Sequence, residues 1–278
     1  MQGKVIVITG GTSGIGQVAA ERLAGMGARI VLVARSKNRG EATLARLREL
    51  APGVEHSIHY GDLSRVAELK RVAKEIAAAE PRIDTLINNA GAMFGQRQVT
   101  EDGLELTFAT NHLSYFVLTE GLRERLIASA PSRIINTSSN AHYRATIDFD
   151  DLQFEHHYKS FVAYSRSKLC NILFTRVLAR RLSGTGVTTD SLHPGFVKTR
   201  FGDESGGALA GFIGFLKIFA ITPEKGAETI VYLASSDDVA KTTGLYFYKC
   251  KPMEPSKLAQ DDAVAEKLWD YTERLLTH

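Results

Sequence analysis

The chain has little cysteine. Its 278 residues hold two, Cys170 and Cys250, far apart and in no paired spacing. That argues against a disulfide framework or a cysteine-based metal site, and it reads as two reduced thiols in a cytosolic protein. Charge of one sign is also scarce: the formal net charge is +3, with no block of five or more like charges. Nothing there suggests a nucleic-acid partner. No apolar run reaches the ~18 residues of a membrane span. Met1 to Gly10 lacks the basic start, apolar stretch and small-residue cleavage site of a signal peptide. A cytoplasmic protein without integral membrane contact is expected. Repeats, low-complexity tracts and linkers are missing too, so the expectation is one domain over residues 1–278.

What is present looks globular, with 44% hydrophobic and 23% charged residues. Short β-branched runs recur at Val5–Ile8, Arg29–Ala34, Ile83–Ile87 and Arg133–Asn136, with weaker ones at Val187–Leu192 and Leu245–Tyr248. Such runs fit strands covered on both faces. Helical spacing of apolar residues fills the intervals: Gly16–Met26, Arg39–Leu50, Ser64–Ala79, Leu104–Ala128 and Phe161–Leu182. The alternation predicts an α/β fold, a doubly wound parallel sheet with helices on both faces. Two regions stand apart. Residues 201–221 hold an apolar stretch, expected as a core or subunit-contacting helix or as a flap over a cleft, with a membrane-surface contact as a third option that its single lysine weakens. Residues 249–278 form a C-terminal tail in which Trp269 is expected to anchor a helix.

After the first strand comes Thr9-Gly10-Gly11-Thr12-Ser13-Gly14-Ile15-Gly16. Glycines there permit a tight turn, close approach of a ligand to the backbone, and close packing of helix on sheet. The helix N-terminus then offers N–H groups to a pyrophosphate. The Walker lysine is missing, so nucleotide hydrolysis is not favoured. No Asp or Glu lies between Glu21 and Glu41, so the second strand ends without the acid that usually binds a ribose 2′-hydroxyl. Arg35, with Ser36 beside it, suits the 2′-phosphate of NADP instead. Further on, Tyr164 and Lys168 stand four residues apart, on one face of a predicted helix. A nearby ammonium favours a phenolate, which would let Tyr164 exchange a proton with a hydroxyl or carbonyl. Glu155-His156-His157 has no third ligand placed by spacing and reads as a solvated loop; no metal is expected.

Together these motifs resemble the short-chain dehydrogenase/reductase family over nearly the whole chain. Thr9-Gly10 through Gly16, Asn88-Asn89-Ala90-Gly91, Asn111, Ser138-Ser139, Tyr164 to Lys168 and His193-Pro194-Gly195 with Thr199 follow in that family's order. The stretches Asp151–Arg176 and Ala265–Trp269 are similar to its retinol dehydrogenase-like branch. The resemblance implies a Rossmann-type fold and an NADP(H)-dependent oxidoreductase acting on a small-molecule alcohol or carbonyl. It implies that Ser139 holds the reacting oxygen and that Tyr164 is the acid in reduction and the base in oxidation. Lys168 would lower the Tyr164 pKa and bind the nicotinamide ribose, and Asn111 would hold a water leading to Lys168. Cofactor contacts are implied for Gly10, Thr12, Ser13, Gly14, Ile15, Gly16, Arg35, Ser36, Asp62 and Leu63 on the adenosine and pyrophosphate side. They continue through Asn89, Ala90, Gly91, Tyr164 and Lys168 to Pro194, Gly195, Val197 and Thr199 at the carboxamide. A homo-oligomer is left open, because the tail replaces the short end that packs tetramers in much of the family. The rival reading is a catalytically silent NADP(H)-binding sensor or scaffold. The joint presence of Asn111, Ser139, Tyr164 and Lys168 argues against it.

Overall fold

The computed structural model describes residues 1–195 and 221–277. Among the described residues eight strands form one sheet in the order β3-β2-β1-β4-β5-β6-β7-β8. They are β1 Val5–Thr9, β2 Arg29–Ala34, β3 Ser57–Tyr60, β4 Thr85–Asn88, β5 Ser132–Thr137, β6 Val187–Leu192, β7 Tyr246–Tyr248 and β8 Lys251–Pro252. All neighbours pair in parallel except β7 and β8. The strand order reverses between β1 and β4. In open α/β sheets that reversal opens a crevice beyond the carboxyl ends of the strands, where ligands bind.

Alternate residues of each central strand feed two cores. Val5, Val7, Val31 and Val33 join one, under α3 (Val66–Ala79), α4 (Ser114–Ala128) and α5 (Ser160–Arg181). Ile6, Ile8, Ile30 and Leu32 join the other, under α1 (Gly14–Gly25), α2 (Lys37–Leu50) and α6 (Pro223–Ser235). Two buried faces explain why these strands read as unbroken apolar runs. β3 was not among the runs singled out. Its four residues are Ser-Ile-His-Tyr, all half-buried at the sheet's edge, where a polar strand is tolerated.

The tail's helix α7 (Asp262–Leu275) lies against α5. Trp269 stacks on Phe174 with ring centroids 5.6 Å apart and meets Phe116 at 4.7 Å. Arg181 covers the indole, and Arg176 and Arg180 both pair with Asp262. Among the described residues no helix is long and apolar enough to cross a membrane.

Asp190 ties β6 to the approach to β7. Its carboxylate accepts from Leu245 N and from Thr242 Oγ1, each at 2.8 Å. Burial pushes its pKa up to about 6, against 3.8 ordinarily. The folded chain therefore holds this proton more tightly than the unfolded one. The associated stabilisation is present at low pH and is lost as pH rises through about 6. It amounts to about 1 kcal/mol between pH 5 and 7. Asp190→Asn should flatten that part of the stability profile; denaturant melts of variant and parent with parallel pH dependence would refute the assignment.

Candidate active site

Three loops meet at the carboxyl edge of the sheet. The first joins β1 to α1. Gly10 and Gly14 take positive φ, +66° and +55°. A Cβ on Gly10 would lie 2.8 Å from the Ala90 backbone, and one on Gly16 would strike Gly10 O and the Asn89 amide. Ser13 precedes α1 with an extended backbone and makes no side-chain cap, and no acid lies in the helix's first turn. The N–H groups of that turn would therefore meet an anion without a competing carboxylate. Thr12 and Ile15 are half-buried in this cradle and Ser13 is exposed. The second loop follows β4 and is stitched to the first: Asn89 N and Ala90 N both donate to Thr9 Oγ1 at 3.0 Å, and Asn89 Nδ2 donates to Thr9 O and Gly10 O. Such a cradle fits a dinucleotide pyrophosphate.

At the end of β2, Arg35 is exposed, and Ser36 caps α2 by accepting from Arg39 N. After β3, Asp62 Oδ1 accepts from both the backbone and the hydroxyl of Ser64. Leu63 packs on the core.

The third loop follows β5 and separates two adjacent serines. Ser138 is buried and donates to Lys168 O at 2.6 Å. Ser139 is half-buried, caps the turn Asn140–Arg144, and hydrogen-bonds the Tyr164 phenol. One turn further along α5, Lys168 Nζ reaches 3.1 Å from Thr137 O and lies 5.8 Å from the Tyr164 ring. Gly91 leaves room for this amine, since a Cβ there would sit 3.0 Å from Nζ. Asn111 occupies a π-helical segment, Ala109–Leu113, that runs into α4. Expecting one regular helix over Leu104–Ala128 missed this local widening, a feature frequent at functional sites. The Asn111 amide bridges both backbone groups of Ala92 at 2.8 Å and donates to Ser167 Oγ.

Electrostatics depart from the expectation at one point. Lys168 was expected to pull the Tyr164 pKa down. Burial instead pushes Tyr164 up to about 12, with the Ser139 hydrogen bond opposing it, and burial pulls Lys168 down to about 7. The amine donates to a backbone carbonyl, and burial disfavours its charged form, which weakens its pull toward a phenolate.

Ser139, Tyr164, Lys168 and Asn111 thus converge beside the glycine cradle. Pro194 and Gly195 follow β6 at the same edge, with Gly195 N donating to His193 Nδ1 at 3.2 Å. Val197, Thr199 and, apart from Ile221, the stretch 201–221 expected as a flap lie outside the described residues. Sequence reasoning passed over Tyr115 and Asn171, both fully buried beside Lys168. Tyr115 OH donates to Ala90 O at 2.9 Å. Helical spacing held the signal: Tyr115 is four residues past Asn111, and Asn171 three past Lys168.

A short chain dehydrogenase family model matches residues 4–208. Human retinol dehydrogenase 14 is 43% identical, over 98% of this chain and 86% of its own length. Human retinol dehydrogenase 13 is 40% identical, over 99% and 85%. Among solved structures, an uncharacterized protein from Mycobacterium paratuberculosis superposes with a TM-score of 0.80 at 31% identity, covering 99% of this chain and 94% of that one. RhlG of Pseudomonas aeruginosa, in its NADP active-site complex, gives 0.71 at 27% identity, over 88% and 94%.

Proposed function

The chain belongs to the short-chain dehydrogenase family, and from that membership we propose an NADP(H)-dependent oxidoreductase that interconverts a lipophilic alcohol and its carbonyl. The observation that carries this reading is the hydrogen-bonded Ser139–Tyr164 pair, with Lys168 one helical turn away, at the rim of a glycine cradle.

When bound, the nicotinamide gives or takes the hydride. The protein's share is to orient and to manage the proton. Gly10 to Gly16, with the N-terminus of α1, hold the pyrophosphate. Arg35 and Ser36 take the 2′-phosphate, Asp62 and Leu63 the adenine, and Asn89, Ala90 and Gly91 the adenosine ribose. Pro194 and Gly195 lie toward the carboxamide, with Val197 and Thr199 assigned to the same end from sequence alone. Ser139 Oγ holds the reacting oxygen. In reduction Tyr164 Oη gives that oxygen its proton, and in oxidation it takes the proton back. A phenol held near 12 is protonated at neutral pH and so carries the proton that reduction consumes, and a positive charge beside it is needed to ease that proton's release. Lys168 holds the nicotinamide ribose, and an ammonium there, once paired, favours the Tyr164 anion. Asn111 leads toward solvent behind it.

NADP(H) is favoured by Arg35 and the absence of an acid after β2, and by the fold shared with the NADP complex of RhlG. A lipophilic substrate is favoured by the relatives named retinol dehydrogenases. A cytoplasmic setting suits the free thiols of Cys170 and Cys250. The test is a panel of carbonyls and alcohols followed by nicotinamide absorbance, with NADPH and NADH in parallel. Turnover of apolar carbonyls with NADPH is expected; binding of NADPH without turnover of any member would favour the silent sensor.

A further inference from the structure

The carbonyl that receives Lys168 is crowded. Thr137 O accepts from Lys168 Nζ at 3.1 Å, from Asn171 Nδ2 at 3.2 Å and from Tyr115 OH at 3.4 Å. A carbonyl oxygen has two lone pairs, so three donors compete. Asn171 Nδ2 also donates to Asn111 O at 2.9 Å. One amide therefore spans the end of β5 and the π-helical segment, the two backbone pieces that flank the lysine. With two carbonyls on its NH2 group, the amide cannot flip without setting oxygen against oxygen. Its Oδ1 meets His112 Nδ1 at 3.3 Å, and His112 Nε2 meets Thr272 Oγ1 of α7 at 3.3 Å. His112, Asn171 and Thr272 are each 1% exposed or less. A buried amide with donors and acceptors this well matched is costly to disturb.

We propose that Asn171 is a positioning residue for Lys168: it holds the Thr137 and Asn111 carbonyls in register and contests the former with the lysine amine, and the tail helix braces it through Thr272 and His112. This rests on the oxidoreductase reading for its consequence in turnover, though not for its geometry. With Asn171 in place, the amine shares its acceptor and is readily released toward a ribose hydroxyl. Without it, Thr137 O is left to the ammonium. The titratable neighbours are Tyr164 on the same helix and Tyr115 on α4, with His112 behind Asn171. No carboxylate among the described residues contributes to the state of the amine.

The experiment uses the full chain as Asn171→Leu, Asn171→Asp and Thr272→Val, in two measurements. One is the pH profile of kcat for carbonyl reduction and alcohol oxidation. The other is the Lys168 amine titration, by 15Nζ NMR without added cofactor. Asn171→Leu removes the competing donor and Asn171→Asp also adds a nearby anion, so both should raise the Lys168 pKa, the aspartate by about one unit or more. The kcat should fall ~10-fold or more, with the midpoint of its pH profile displaced from the parent's. Thr272→Val keeps shape and loses the brace together with the hydroxyl's bond to Leu268 O within α7. It should move the titration in the same direction by a few tenths of a unit, and it decides the matter if the Asn171 variants do not fold. An unmoved titration and pH profile in folded Asn171 variants, or in Thr272→Val when those do not fold, would overturn the proposal. A Lys168 titration that shifts in the variants, with a parent that turns over nothing, would sink the oxidoreductase reading and leave this one standing.

Discussion

Replacing Tyr164 with phenylalanine is expected to lower kcat by ~10³-fold in both directions, within the range that positioned acid–base groups contribute. The substitution removes one oxygen. The ring keeps its place on α5, Ser139 loses a hydrogen-bond partner at a half-open site, and the glycine cradle is untouched. NADPH affinity should therefore stay within ~3-fold, because the contacts proposed for phosphates and adenosine lie elsewhere. Stopped turnover with retained cofactor binding separates a proton-transfer role from a structural one. A variant that retains full activity would remove Tyr164 from the mechanism. The parent's pH dependence carries the same idea with a sign. With the phenol held near 12, the protonated form dominates across the neutral range. Reduction should hold steady there and fall only as the phenol ionises. Oxidation, which needs the phenolate, should climb with pH. The apparent values will belong to the Tyr164–Lys168 pair rather than to either group alone.

The sheet was largely legible from the residues because its central strands are buried on both faces. Runs such as Val5–Ile8 and Ile30–Val33 have one physical explanation, but the pairing of β1 with β2 and β4 is not written in them. β3 lacked that signal, since an edge strand needs no unbroken apolar run. The four side chains proposed as reactive could be picked out as a set through their order along the chain. Their local environment was not. Nothing in a linear reading marks residues 109–113 as π-helical, yet that widening carries Asn111 to Ala92. Nor does the pattern Tyr-x-x-x-Lys reveal that the lysine rests on Thr137 O, which its backbone neighbours decide. Burial depends on everything packed around a group. The sequence-based expectation of a lowered Tyr164 pKa accordingly missed the larger influence, the loss of solvent around the ring.

Arg35→Ala is expected to weaken NADPH binding by ~10–100-fold while leaving NADH nearly unchanged, the size of one or two charge-assisted hydrogen bonds to a phosphate. Three features of this corner favour a phosphate. First, β2 ends without a carboxylate to receive a ribose diol. The next acid along the chain, Glu41, accepts from Tyr60 OH at 2.7 Å, and Asp62 is held by Ser64. Second, α2 begins with Lys37 and Arg39 and has no acid in its first turn. Cations at a helix N-terminus oppose the helix dipole, an arrangement that a bound dianion would offset. Third, Ser36 accepts from Arg39 N through its oxygen, which leaves its hydroxyl hydrogen for a phosphate oxygen. Because Arg35 is exposed, the discrimination should shrink as salt rises, and the Arg35→Ala variant should lose most of that salt dependence. Fluorescence titrations of both cofactors at low and high ionic strength measure this directly. Equal affinities for NADPH and NADH in the parent would refute the role given to Arg35 and leave the proton chemistry at Tyr164 intact. A preference that survives the substitution would move the recognition to Lys37 and Arg39.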